Sequence, residues 1–153
     1  MAMPEFIAEL RSKVGHMPLW LSGATAVVLR GDEVLLVKRA DTGEWTPVSG
    51  VVDPGEHPKL TATREVAEEA GVASEVERLV WLAVTGMVRY PNGDQTQYID
   101  HVFRCRWLSG DPHPADGEAT AATFFKLDAL PQLSERHVKA IALAVTDGEV
   151  CLD

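Results

Sequence analysis

Phe6, Ile7, Leu10 and Val14 recur at helical spacing, and Gly15 can end that helix. Beyond it the pattern changes to short apolar runs. Residues 24–29 and 34–37 read as two strands joined by an Arg30-Gly31-Asp32-Glu33 hairpin turn. A short strand follows at 45–48. Residues 49–57 read as loop, because Gly50, Pro54 and Gly55 interrupt any regular pattern. Pro58 fits the first turn of a helix and Gly71 its end. Residues 76–84, 97–107 and 121–127 are strands, separated by a turn at 90–94 and a longer loop at 109–118. Residues 134–145 form a closing helix, with Ser134 as its N-cap. No repeat, low-complexity tract or linker divides the chain. The expectation is one α/β domain over 1–153, a mixed sheet covered by helices, with an N-terminal helical extension over 1–20.

Charge narrows the function. The 153 residues carry 14 Lys and Arg against 23 Asp and Glu, a net charge of -9. A nucleic-acid polymer or an anionic membrane needs a basic footprint, so neither is an expected partner. A small anionic substrate remains compatible, because bound divalent metals reverse the local sign of a carboxylate-rich site. Cys105 and Cys151 form no metal-ligand spacing and read as reduced thiols. No apolar run approaches the ~18 residues of a membrane span. The start of the chain, with Glu5 and Glu9, lacks an export signal, which predicts a cytoplasmic protein.

The chemistry concentrates in the helix predicted over 58–70. At ~100° per residue, Glu65, Glu68 and Glu69 share one face. Leu60, Thr63, Val66, Ala67 and Ala70 lie roughly opposite, as the side expected to pack on the sheet. Glu65 and Glu69 are like charges at i,i+4, costing about 0.2–0.5 kcal/mol. Glu68 and Glu69 sit near the helix C-terminus, where the dipole disfavours anions by roughly 0.3–1 kcal/mol. Arg64 can pair with Glu68 and offset part of this. A cluster at the wrong end of a helix breaks a local rule in the way functional sites do. Carboxylates without His or Cys suit hard cations, Mg2+ or Mn2+. The Gly- and Pro-rich segment before the helix lets backbone approach the site, and a carbonyl of Ser49 or Gly50 could complete the coordination. Metal beside a tight loop suits phosphoryl chemistry.

Residues 50–72 resemble the Nudix box, Gly-x5-Glu-x7-Arg-Glu-U-x-Glu-Glu-x-Gly-U, where U is bulky and aliphatic. Gly50, Glu56, Arg64, Glu65, Val66, Glu68, Glu69, Gly71 and Val72 match every fixed position. The resemblance implies the Nudix fold, a mixed β-sheet sandwiched between α-helices. It implies Mg2+- or Mn2+-dependent hydrolysis of a diphosphate linkage in a small nucleoside diphosphate derivative. Glu68 and Glu69 would be the principal metal ligands, and Glu65 a further ligand or the base acting on the attacking water. Arg64 would orient the glutamates. Glu56 would reach the metal or brace the loop–helix junction, and Gly50 would permit the loop geometry. Where many members have Gly-Gly, this chain has Ser49-Gly50, which bears on the loop-side ligand. A later loop often adds an acid; Glu118 is the first candidate and Asp116 the second. Many members are homodimers, and the N-terminal helix with Trp20 is a candidate contact.

Substrate choice is less defined. Lys38, Arg39, Arg89, Arg104 and Arg106 are candidate phosphate contacts, Arg39 first among them. Trp45, Tyr90 or Tyr98 could stack on a base, although core packing on a strand is the favoured reading for Trp45 and Tyr98. The proline that marks many ADP-ribose hydrolases is absent; Met87 and Val88 occupy that region. The extended signatures of coenzyme A and NADH hydrolases are also absent. Nucleotide sugars or ADP-ribose, modified nucleoside triphosphates and dinucleoside polyphosphates stay open. The alternative class is a non-catalytic Nudix-fold module that senses a nucleotide, which the intact Glu65, Glu68 and Glu69 disfavour. A Nudix-fold isomerase would need a dedicated pocket cysteine, and neither cysteine has that context. The Asp100-His101 pair, a polar break inside a strand, has no explanation in the sequence.

Overall fold

The computed structural model describes residues 3–153. Its strands are β1 (Leu19–Arg30), β2 (Glu33–Arg39), β3 (Trp45–Thr46), β4 (Val48–Val51), β5 (Ala73–Val84), β6 (Val88–Arg89), β7 (Gln95–Ser109) and β8 (Ala119–Lys126). Its helices are α1 (Glu5–Val14), α2 (Pro58–Ala70) and α3 (Glu135–Val145). The apolar runs of β1 and β2 are nearly continuous because the sheet is covered on both faces. Ala24, Ala26, Val28, Leu35, Val37, Phe103 and Cys105 pack toward Ala62, Val66 and Ala70 of α2. Val27, Val34, Leu36 and Val102, the alternate positions, pack toward Ala140, Ile141 and Ala144 of α3. The result is an α/β/α sandwich, as the sequence led us to expect.

The topology opens the sheet where the site lies. β1 runs parallel to β7 from the Leu19–Thr96 pair to the Leu29–Arg106 pair. β1 and β2 are paired only at the closed end of their hairpin, Leu29 with Val34 and Arg30 with Glu33. β2 pairs with β8 along its whole length on its other edge, from the Glu33–Lys126 pair to the Arg39–Ala119 pair, and with β3 at Val37 and Lys38. The vacated edge of β1 pairs instead with β4, placing Ser49 opposite Thr25 and Gly50 opposite Ala24. The structure departs from the sequence expectations at three points. The N-terminal helix ends at Val14, and Trp20 lies in β1. The single short strand at 45–48 is two strands separated by Pro47, and Ser49 and Gly50 lie in β4 rather than in loop. The ladder with β1 overrides the loop signal of Gly50.

The Asp100 break is also resolved. Asp100 is buried and accepts a 2.7 Å hydrogen bond from Thr25 Oγ1. It also pairs with Arg136 at the start of α3. His101 Nδ1 lies 2.9 Å from the Gly23 carbonyl oxygen. The polar pair therefore ties β7 to β1 and to α3. Ser134 caps α3 as expected, accepting from the His137 backbone N–H. Both cysteines are free, and burial pushes the Cys105 thiol up to about 12. No helix among the described residues is long and apolar enough to cross a membrane.

Candidate active site

The site is assembled around α2. Pro58 starts the helix, and Gly71 ends it in the left-handed conformation at φ 67°. The buried stripe of α2 is Thr61, Ala62, Glu65, Val66, Glu69 and Ala70. Val66 and Ala70 pack as expected, but Leu60 is 51% exposed and Ala67 is exposed too. The three glutamates do not share one solvated face. Glu65 and Glu69 are only 1% and 8% exposed, while Glu68 stays outside. The helix is rotated so that two carboxylates enter the seam between helix and sheet.

Gly50 makes that seam possible. A Cβ there would lie 2.3 Å from Glu65 Cδ and 2.4 Å from Glu65 Oε1. Gly50 has no positive φ, so its role is space for a carboxylate and not backbone freedom. Ser49 lines a neighbouring cavity with Glu69.

Arg64 is the hub of the junction. Its Nε and Nη2 donate to the two oxygens of Glu56, each at 2.9 Å. Its Nη1 donates to Glu65 Oε1 at 2.9 Å and to Glu68 Oε2 at 3.3 Å. Glu56 also accepts from Thr61 Oγ1 at 2.5 Å and from the Asp53 N–H at 3.4 Å. The Arg64 hydrogen bonds hold the Glu56 carboxyl down at about 2. Glu56 thus sits in the brace between loop and helix, its oxygens committed to protein donors. Thr61, a buried partner in this brace, carried no signal in the sequence beyond its helical register.

The loop over 110–118 reaches the free end of α2. The His113 N–H donates to the Ala70 carbonyl at 3.0 Å, and the Ala115 N–H to the Glu69 carbonyl at 3.1 Å. These bonds satisfy carbonyls that a helix C-terminus leaves unpaired. They also bring Asp116 and Glu118 to Glu69, with ligand atoms of all three within 4.8 Å of one another. Asp116, ranked behind Glu118 from sequence, stands in the cluster beside it.

Burial raises the Glu65 and Glu69 carboxyls well above the ordinary range. The charges of Glu65 and Asp116 push Glu69 up further. Glu65 Oε2 is buried without a hydrogen-bond partner. An all-oxygen donor set with an orphaned buried carboxylate oxygen fits a hard divalent cation. A cavity of about 700 Å3 opens here, lined by Arg64, Glu65, Glu68, Asp116 and Glu118 among others. A second, of about 370 Å3, is lined by Arg39, Ser49, Glu69, Tyr90 and Glu118 among others. Arg39 is held there by Asp41 at 2.9 and 2.8 Å, and the Tyr90 hydroxyl lies 3.1 Å from that of Tyr98.

Trp45 is not brought to either cavity. It packs edge-on against Phe125 at 4.9 Å in the core beneath α3. Strand alternation turns Thr46 toward the cavity in its place. Trp45→Ala is therefore expected to cost about 2 kcal/mol of stability, below the fully buried Trp range. Substrate KM should stay unchanged; a raised KM at unchanged kcat would return Trp45 to the binding surface. Arg104 pairs with Glu77 and Asp147, and Arg106 with Glu75, and neither lines these cavities.

The NUDIX domain family matches residues 20–144. A MutT-like protein from Streptomyces ambofaciens is 34% identical over 132 residues, covering 86% of this chain and 78% of the relative. The NAD-capped RNA hydrolase NudC of Pseudomonas aeruginosa is 34% identical over 133 residues, covering 80% of this chain; the chain spans only 44% of that relative's length. Among solved structures, an ADP-ribose pyrophosphatase from Streptococcus suis superimposes with a TM-score of 0.65 at 27% identity, covering 87% of this chain and 98% of that one. Sequence, fold and the arrangement around α2 agree: the chain belongs to the NUDIX domain family, as a Nudix hydrolase.

Proposed function

We propose that this hydrolase cleaves a diphosphate linkage in a small nucleoside diphosphate derivative, using Mg2+ or Mn2+. The observation that carries the reading is the grouping of Glu69, Asp116 and Glu118 beside the orphaned oxygen of Glu65. These residues would hold the cation, with Glu68 at the outer edge. When bound, the cation supplies neutralisation of charge at the phosphate oxygens. Arg64 fixes the carboxylates in place. Arg39 and Tyr90 both line the second cavity, where Arg39 would meet a phosphate and Tyr90 the base or sugar. Glu65 either adds a ligand or accepts the proton of the attacking water. Glu65→Gln separates these roles: loss of Mn2+ affinity marks the ligand, and loss of turnover at unchanged affinity marks the base.

The relatives frame the substrate. One is named for ADP-ribose and one for NAD-capped RNA. A net charge of -9 favours the small molecule over the polymer. The test is a phosphate-release panel of nucleotide sugars, ADP-ribose, NAD, modified triphosphates and dinucleoside polyphosphates, with Mg2+, Mn2+ or EDTA. Turnover that EDTA removes supports the reading. Binding without turnover at saturating metal would mark a nucleotide-sensing module instead.

The raised Glu65 and Glu69 carboxyls also predict a pH signature. In metal-free protein the folded state holds protons that the unfolded chain releases in the ordinary carboxylate range. Stability from these groups therefore falls as pH rises from that range toward neutrality. Metal needs the ionised forms, so its binding releases protons and strengthens as pH rises. Calorimetry of Mn2+ binding in buffers of different ionisation enthalpy reads the release directly; the same heat in every buffer would contradict it.

A further inference from the structure

The family match begins at residue 20, yet part of the carboxylate cavity comes from earlier in the chain. Pro4, Glu5 and Phe6 line it together with Arg64, Glu65, Glu68, Asp116 and Glu118. The helix that follows is held at its far end. Arg11 Nη2 donates to the Gln95 carbonyl at 2.7 Å, and Arg11 Nε lies 3.5 Å from Asp94 Oδ1. Both side chains of that ion pair are nearly buried, at 9% and 10% exposure. Arg11 Nη1 also donates to the Gly15 and Met17 carbonyls, at 3.1 and 2.5 Å. Ile7, the residue after Phe6, is buried. The helix is thus anchored to the start of β7 at one end and delivers Glu5 to the cavity at the other.

An acidic wall alone does not make a cation site. Here the independent pointer is Glu65, which lines the same cavity, is 1% exposed and has a buried Oε2 that accepts no hydrogen bond. We propose that α1 is part of the cation-binding apparatus, with Glu5 adding a carboxylate to the field of the cavity from outside the family's own domain. This rests on the reading of the site as a divalent-cation site. Glu5 is exposed, so it acts across solvent and its contribution is modest and screened by salt. Its role is that of a distant charge and not of a ligand.

The experiment is Mn2+ titration of the full chain by electron paramagnetic resonance, at low and high ionic strength. Glu5→Gln should weaken Mn2+ binding about two- to fivefold at low salt. The difference should shrink near 1 M salt, where the screening length falls to ~3 Å. Glu5→Lys should weaken binding further. Glu9→Gln, a charge change of the same size on an exposed position of α1 away from the cavity, should leave it unchanged. Glu5→Gln binding as tightly as the parent at low salt would overturn the inference alone. Equal losses in Glu5→Gln and Glu9→Gln would overturn it too, in favour of net charge. A parent chain that binds no Mn2+ would overturn the reading of the site and the inference with it.

Discussion

Glu69→Gln is expected to lower metal-dependent turnover by at least about 100-fold, beyond the 10–100-fold typical of groups one layer outside the ligands. Glu69 is buried, and its carboxylate lies within 4.8 Å of ligand atoms from Asp116 and Glu118. The Gln side chain has nearly the same shape, so packing around Val66 and Ala70 is kept. The same substitution has a second expected effect. Without metal it removes one of several crowded acids whose ionisation burial opposes. At pH 8 the metal-free variant should therefore match or exceed the parent's Tm, while the rise that Mn2+ gives the parent should be lost. Near-normal turnover in a folded variant would sink the assignment of Glu69 as a ligand. A lowered metal-free Tm would show that the carboxylate is structural.

Gly50→Ala is the second large effect. The added carbon would meet Glu65 Cδ, Cγ and Oε1 at 2.3–2.4 Å, far inside contact distance. Glu65 has little freedom to retreat, because it is buried and its Oε1 is bonded to Arg64 at 2.9 Å. The backbone of Gly50 is held by the β4–β1 ladder. Overpacking of this kind costs roughly 1–3 kcal/mol, and the displaced carboxylate should take metal-dependent turnover with it. Pairing Gly50→Ala with Glu65→Ala checks the cause. Removing the struck side chain should make the double variant more stable than the sum of the two single effects. Simple additivity would mean that the two residues do not collide.

These two residues show what the sequence could and could not say. The motif placed Glu65, Glu69 and Gly50 together in type and spacing, and the ends of α2 fell where Pro58 and Gly71 put them. The helical wheel did not orient α2, because it assumes that apolar residues face the core. Here two carboxylates line the seam, and Leu60 faces solvent. Ser49 and Gly50 read as loop because local composition carries no trace of the β1 edge that pairs with them. Asp100 could not be interpreted because Thr25 and Arg136 are distant in sequence. Trp45 read first as a core residue and second as a stacking platform; the direction of strand alternation, fixed by pairing with β2, bears out the first. The contribution of Pro4 to Phe6 had no local signature at all, since it depends on an anchor at Arg11 and Asp94.

The two amide bonds from the loop to the end of α2 give the site a mechanical property. His113 and Ala115 donate to Ala70 and Glu69, which couples the last turn of α2 to the loop that leads to Asp116, while the Glu118 carbonyl is held by the Ala40 N–H at 2.9 Å. Fraying of that single turn would withdraw Glu69 and Asp116 from Glu118. Amide hydrogen exchange at residues 113 and 115 should therefore slow in step as Mn2+ is added, reporting cation occupancy through the backbone with no substrate present.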